Sequence, residues 1–301
     1  GICDPVLLGQ LERIDAVKEE LGLSFDCETI DVRYDPRRRT TYAEELHELR
    51  GRKGLTEEDA VRLLKSTTYF APMMVRMGDA DGYLGGVSHH YPDIVRPCLH
   101  TIGPDPDSHR IVGTYMMTVN GQLMFIGDAT INIYPDSRTL AEIAVQTAKV
   151  ARRFGVKPKV AMLSFSNFGT SGELRTDRIE EAVSIARELD PDLIIDGPMQ
   201  ADTALVPDIQ KDYPFMSFDG PANVLICPNL ASANIAYKLL QRVAGAEMTG
   251  PILEGLSKPA HVLQLSLIHI SEPTRPERIS YSVVCFKKKR GGGGGGGGGG
   301  G

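Results

Sequence analysis

Apolar positions recur along residues 1–264 with two periods, and the switches between them mark out the elements. Pro5-Val6-Leu7-Leu8 is a short apolar run closed by Gly9. Leu11, Ile14, Ala16 and Val17 then continue at helical spacing to Leu21-Gly22, which predicts a strand followed by a helix. A polar helix is predicted over Tyr42–Lys53, ending at Gly54. Thr56-Glu57-Glu58-Asp59 reads as the capped start of another helix, which carries Val61, Leu63 and Leu64. Met73–Gly78 and Ala80–Leu84 predict a helix feeding a buried strand. Ile111–Val119 and Gln122–Ile126, joined by Asn120-Gly121, form the strongest hairpin signal in the chain.

From there the pattern alternates. Thr139–Phe154 is an amphipathic helix with Thr139 and Glu142 as a capping box, followed by strand Val160–Phe165, helix Asp177–Leu189 and strand Leu193–Asp196. Strand Asn223–Cys227, helix Ala231–Val243 and strand Pro251–Leu256 complete the series. Such a series demands right-handed crossovers and mostly parallel sheets, so the fold class is α/β. The stretch TIGPDPDSHR (101–110) is rich in Pro, Gly and Asp. It predicts a change of domain, with a first α/β domain over 1–105 and a second over 106–264. Ligands of such sheets collect at the carboxyl ends of strands. The polar loops Ser164–Gly172, Asp196–Asp202 and Pro228–Asn234 fall there.

Residues 265–301 break with this pattern. LSLIHISEPTRPERISYSVVCFKKKR runs into eleven glycines and resembles translated sequencing adapter, so the segment is read as a non-native tail. Its removal changes the charge: the whole chain carries −6, whereas residues 1–264 hold 27 basic and 37 acidic side chains, a net −10. That balance argues against a general binder of nucleic acid or anionic membrane. No run of 18 apolar residues occurs and the first residues lack a secretory pattern, so a cytoplasmic location is expected. The five cysteines are scattered singly, which indicates neither a disulfide framework nor a thiolate zinc site.

Ser164-Phe165-Ser166-Asn167-Phe168-Gly169-Thr170-Ser171-Gly172 combines hydroxyls, an amide and permissive glycines after a hydrophobic strand, the ingredients of a loop that cradles phosphate. It matches neither the Walker pattern nor the dinucleotide fingerprint. Arg50 and Arg96 are candidates to grip a phosphoryl or carboxylate group, because a planar guanidinium donates two parallel hydrogen bonds. Arg37-Arg38-Arg39 reads as a solvated charge run. His89-His90 with Asp93 raises a metal site only weakly, since adjacent side chains diverge and no third strong ligand is near, and no metal is assigned. Asp196, Gln200 and Asp202 fit ligand orientation and structural capping about equally. No nucleophile elbow supports hydrolase chemistry.

Five motifs together resemble the phosphate acetyl/butyryltransferase family: GVSHHYPDIVRP (86–97), KVAMLSFSNFG (159–169), IDGPMQADTALVP (195–207), ANVLICPNLASANIAYKLLQR (222–242) and GPILEGLSKP (250–259). Within that family His89-His90-Tyr91, Ser166-Asn167-Phe168-Gly169 and His261-Val262-Leu263-Gln264 look most like the C-terminal domain of the bacterial multidomain NADP-dependent malic enzyme. The resemblance implies a two-domain fold of the isocitrate-dehydrogenase-like type, dimerising through its second domain, with an acyl-CoA site in the cleft between domains. It places Arg50 and Arg96 at the positions of family arginines that handle phosphate or CoA, and Ser164, Ser166, Asn167, Gly169 and Gln264 are taken with them as candidates for the phosphate and acyl-CoA site. Gln264 stands where the family has its catalytic serine, and the arginine and aspartate expected beyond it are missing.

Loss of a transition-state hydrogen-bond donor costs about a hundredfold or more in rate. The expectation is therefore an acyl-CoA-binding regulatory and oligomerising domain without turnover. An active phosphate acetyltransferase and a purely structural dimerisation domain are the alternatives. Expected partners are acetyl-CoA or a related acyl-CoA, phosphate, a second copy of the chain and an upstream malic enzyme domain, with no nucleic acid and no membrane. No cofactor is expected in these residues, and the NADP and divalent metal of malic enzyme would lie upstream of Gly1. The chain is expected to be short at both ends, and hence poorly soluble.

Overall fold

The computed structural model describes residues 3–86, 89–106, 108, 110–169, 174–262 and 283–287. The described strands form two sheets. The first half supplies β1 (Asp4–Leu8), α1 (Leu11–Glu20), β2 (Glu28–Ile30), α2 (Pro36–Arg50), α3 (Glu57–Leu63), α4 (Thr67–Met77), β3 (Gly82–Gly85) and α5 (Tyr91–Thr101). The second supplies β4 (Val112–Val119), β5 (Gln122–Gly127), α6 (Ser137–Arg153), β6 (Lys159–Leu163), α7 (Leu174–Leu189) and β7 (Ile194–Met199). After these come α8 (Ala201–Leu205), α9 (Pro207–Gln210), β8 (Val224–Ile226), α10 (Leu230–Val243) and β9 (Glu247–Glu254). Two strands then return to the first sheet, β10 (Ala260–Val262) and β11 (Val283–Lys287).

The larger sheet runs β7-β6-β8-β5-β4-β9. Its β7, β6, β8 and β5 are parallel, and β4 and β9 add an antiparallel edge. Both faces are covered, and the period-two alternation of a strand sorts its residues between them. Phe125, Val160, Met162, Val224 and Ile226 pack with α6 and α7, whereas Ile126, Ala161 and Leu225 pack with Ala204 of α8 and Tyr237 of α10. The hairpin joining β4 to β5 turns at Asn120 and Gly121, with φ of 50° and 76°, as a tight right-twisting turn requires.

The smaller sheet runs β10-β3-β11-β1-β2. Its central strand, β11, comes from the segment set apart on sequence and pairs antiparallel with both β1 and β3. Gly82 makes room there, because a Cβ at that position would run into the Phe286 ring.

Local chemistry explains where the helices begin. α2 starts earlier than its apolar pattern indicates, since Asp35 accepts from the Arg38 N–H at 3.1 Å and Pro36 presets the first turn. The arginine run is consequently not simply solvated: Arg38 faces Asp35, Glu28 and Asp79. Thr56 caps α3 by accepting from Asp59 N–H at 3.1 Å. At α6 the cap is Asp136 rather than Thr139, whose own N–H donates to the Asp136 carboxylate at 2.8 Å. Glu142 is instead buried beside Arg138.

Two segments carry the chain between the halves, residues 102–111 and 255–259, and they lie side by side. Asp105 N–H donates to Gly255 O at 2.8 Å, Ser257 N–H to Gly103 O at 3.1 Å, and Ser257 Oγ to Ile102 O at 2.8 Å. Lys258 then caps α4, donating to the last carbonyls at Val75 and Arg76 at 2.9 and 3.0 Å. Among the described residues no helix is long and apolar enough to cross a membrane.

Candidate functional site

Arg50 ends α2 and Arg96 lies in the middle of α5, a helix that packs against α2. Between them sit Tyr69, in the first turn of α4, and His100, in the last turn of α5. Tyr69 Oη and His100 Nδ1 are 2.9 Å apart, with the rings tilted at a centroid separation of 6.0 Å. Burial, then the positive charges of Arg50, Arg96 and Lys53, hold the His100 imidazole below its ordinary range. Burial raises the Tyr69 phenol, and Arg96 and Arg50 pull it partly back. Both rings are therefore neutral at pH 7, so one proton is shared across the contact, from the Tyr69 hydroxyl to Nδ1 in one tautomer of His100 and from Nδ1–H to Tyr69 Oη in the other. Among the described residues no carboxylate pairs with Arg50, Lys53 or Arg96. Three cations without counter-charge around one neutral pair form a place for an anion.

The loop after β6 is held differently. The Ser164 N–H donates to Met199 O at 2.8 Å and the Phe168 N–H to Pro198 O at 2.7 Å, which ties the loop to the end of β7. Asn167 accepts from Gln200 N–H at 2.8 Å and donates to Tyr213 Oη at 3.0 Å, so its amide serves the loop's own shape. Ser166 is buried, and Phe168 packs on Tyr213 and Phe215. Phe168 and Gly169 take φ of 46° and 73°. A side chain at Gly169 would also meet Glu180 Oε1 at 2.8 Å.

A second loop leaves the same end of the parallel strands, after β5. Asp128 is buried and accepts from the N–H groups of Gly113, Thr130, Ile131 and Asn132 at 2.9 to 3.2 Å. It also takes the Asn132 amide at 2.7 Å. This saturated carboxylate fixes Thr130, whose hydroxyl lies 3.5 Å from Tyr91 Oη at the start of α5. The helix that carries Arg96 and His100 thus touches, at its first residue, a loop at the carboxyl end of the larger sheet.

The structure brings Arg50 and Arg96 to one place. It gathers Ser164, Ser166, Asn167 and Gly169 into another, and no hydrogen bond or ion pair joins the two among the described residues. Gln264 lies outside the described residues. Asp196 is structural: it accepts from Gly197 and Ser217 N–H at 2.9 and 2.7 Å, near Arg187. Gln200 donates to Phe165 O at 2.7 Å, and Asp202 receives Thr203 N–H at 2.8 Å. Sequence reasoning missed Lys53, Tyr69 and His100. Their only signal was helical spacing, His100 lying four residues beyond Arg96 and so on the same face.

The sequence model of the phosphate acetyl/butaryl transferase family matches residues 1–269. The chain is 38% identical over 264 residues to the phosphate acetyltransferase of Corynebacterium glutamicum, covering 87% of this chain and 80% of that protein. It is 38% identical over 268 residues to the phosphate acetyltransferase of Bacillus subtilis (strain 168), covering 87% and 81%. Among solved structures it superposes on the EutD phosphotransacetylase from Staphylococcus aureus with a TM-score of 0.78 at 36% identity, over 86% of this chain and 79% of that one. A phosphotransacetylase from Streptococcus pyogenes gives 0.80 at 35% identity, over 91% and 84%. These relatives overturn the expectation of a silent regulatory domain. That expectation rested on Gln264 and on the arginine and aspartate missing beyond it, whereas the likeness to proteins named for the transfer spans four-fifths of their length. From its sequence and its two-sheet α/β architecture alike, this chain belongs to the phosphate acetyl/butaryl transferase family.

Proposed function

We propose that this chain is a phosphate acetyltransferase, moving an acetyl group between the thiol of CoA and inorganic phosphate. The observation that carries the reading is that Arg50 and Arg96, which pair with no carboxylate among the described residues, act on the same Tyr69–His100 pair in a chain whose relatives bear that name. In the transfer a CoA thiolate attacks the carbonyl of acetyl phosphate, the carbon–oxygen bond to phosphate breaks, and phosphate leaves with its charge. Negative charge is present throughout on the phosphoryl oxygens and grows on the carbonyl oxygen. Fixed cations in a partly desolvated site stabilise such charge at no cost of reorganisation. Arg50, Arg96 and Lys53 are the cations these elements hold ready, and they supply this whatever residue stands at position 264.

The test is phosphate-dependent release of free thiol from acetyl-CoA, with acetyl phosphate as the co-product. Equal thiol release with and without phosphate would overturn the reading.

A second copy of the chain is part of the proposal. On α10, Ile235, Leu239 and Val243 are 60%, 57% and 81% exposed and line one face at four-residue spacing, a stripe that a symmetric partner would cover. A malic-enzyme segment with its NADP and divalent metal is a question about residues preceding Gly1, and reading the gene upstream tests it.

A further inference from the structure

We propose that the Tyr69–His100 pair makes the anion site proton-linked: a phosphoryl dianion seated among Arg50, Lys53 and Arg96 is bound together with one proton taken up on His100. The inference deepens the reading of this site as a phosphate-handling one and rests on it. Its basis is an arrangement that a purely electrostatic anion site does not need. An imidazole hydrogen-bonded at 2.9 Å to a phenol, where α4 and α2 pack on α5, feels the charges of Arg50, Arg96 and Lys53 and that of no carboxylate.

The groups facing His100 come from four directions. Arg50 and Lys53 lie at the end of α2 and in the turn after it, Tyr69 on α4, and Arg96 on α5 itself. β10, the other element packed on α5, carries His261, which burial and then Arg153 hold below its ordinary range. In the empty site every formal charge in this set is positive, so a second proton on His100 is repelled. A dianion placed among the same cations reverses the sign of that field.

The proton then has a defined destination. Whichever ring nitrogen is bare in the neutral form, Nδ1 or Nε2, takes the proton from solvent. In the protonated ring Nδ1–H donates to Tyr69 Oη, and the Tyr69 hydroxyl is free to turn its own proton toward the bound oxygen. One proton enters, none leaves, and the anion gains a neutral donor in addition to the cations. Because linkage is reciprocal, protonation of His100 tightens anion binding by the same factor. Such a site prefers a dianion to a monoanion, which cancels less of the surrounding positive charge.

Calorimetry on the full chain tests this with sodium sulfate, which stays a dianion between about pH 6 and 8, where imidazole titrates. Runs in two buffers of different ionisation heat count the protons. The expected result is net proton uptake on binding, with affinity falling as pH rises by up to about tenfold per unit, the limit for one linked proton. His100→Gln keeps an amide toward Tyr69 and should still bind sulfate, with no proton uptake and a flat pH profile. Proton-independent binding by the wild-type chain, undiminished uptake in His100→Gln, or no sulfate binding at all would each overturn the proposal.

Parallel titrations with CoA and dephospho-CoA identify the source of the dianion. Uptake with CoA but not with dephospho-CoA assigns the site to the ribose phosphate. Equal behaviour of the two, with uptake on adding inorganic phosphate, assigns it to the phosphate substrate. A chain without acetyl transfer that still takes up a proton with sulfate would defeat the proposed activity and leave this inference standing.

Discussion

Asn167 and Gln200 hold each other across the gap between the ends of β6 and β7. The Asn167 side-chain oxygen accepts the Gln200 N–H at 2.8 Å, and the Gln200 side chain donates to Phe165 O at 2.7 Å. The loop is thus built as one rigid piece with its neighbour. Asn167→Ala frees it, and the expected outcome is a drop in acetyl transfer of about tenfold to a hundredfold, as for other small misplacements near a reacting centre. Initial rates of thiol release measure it.

Arg50 and Arg96 act through charge and fork geometry and not through packing. Arg50→Ala and Arg96→Ala should each raise the KM for an anionic substrate about tenfold or more, as expected for a lost charged hydrogen bond. The melting temperature should not fall, because each substitution removes a cation that has no carboxylate partner. Lysine at either position restores the charge without the fork and should recover only part of the loss. Steady-state kinetics alongside thermal melts separate these outcomes.

The cap of α6 gives a pH dependence of known sign. The side-chain and backbone hydrogen bonds from Thr139 hold the Asp136 carboxyl below its ordinary range. A depressed acid stabilises the fold above its unfolded value and loses that contribution as pH falls through the folded one. Asp136→Ala should therefore cost about 1 kcal/mol at neutral pH, the usual worth of such a cap. The two proteins should converge in acid, once the pH has fallen through the depressed value of the Asp136 carboxyl. Urea melts across that range test both halves of the statement.

If a second copy covers the stripe on α10, charge placed there will expose it. Ile235→Glu combined with Leu239→Glu should shift sedimentation from dimer to monomer with little change in far-ultraviolet circular dichroism, since both side chains already face solvent. An unchanged dimer in the double variant would move the interface elsewhere.

The central place of β11 makes the last segment structurally consequential. Ending the chain at Gln264 removes the strand between β1 and β3 and opens two inner edges of the smaller sheet. The truncated chain should melt at lower temperature and aggregate more readily than the full one. Light scattering during a thermal ramp measures both.

The alternation of apolar runs made β4 to β8 of the larger sheet legible, because those strands are largely buried; β9 was legible only in its second half, where its residues are buried. The smaller sheet was harder to read. β2 spans three residues and β10 three, too short for any period to register, and β11 comes from a stretch whose composition argues against structure. The arginines were legible as residue types and through the family likeness. Their convergence was not, since it depends on how α2, α4 and α5 pack. Tyr69 and His100 carry no motif, and their pairing arises only when α4 and α5 bring together two residues 31 positions apart.

The paired segments that join the two halves restrict what those halves can do. Two connections bonded to each other through Asp105, Ser257 and their partners behave like the two knuckles of a single hinge pin. One sheet cannot slide past the other without breaking those bonds, but it can swing about the line they define. The Tyr91–Thr130 contact lies away from that line, so a swing about it would open the molecule first where α5 meets the loop after β5.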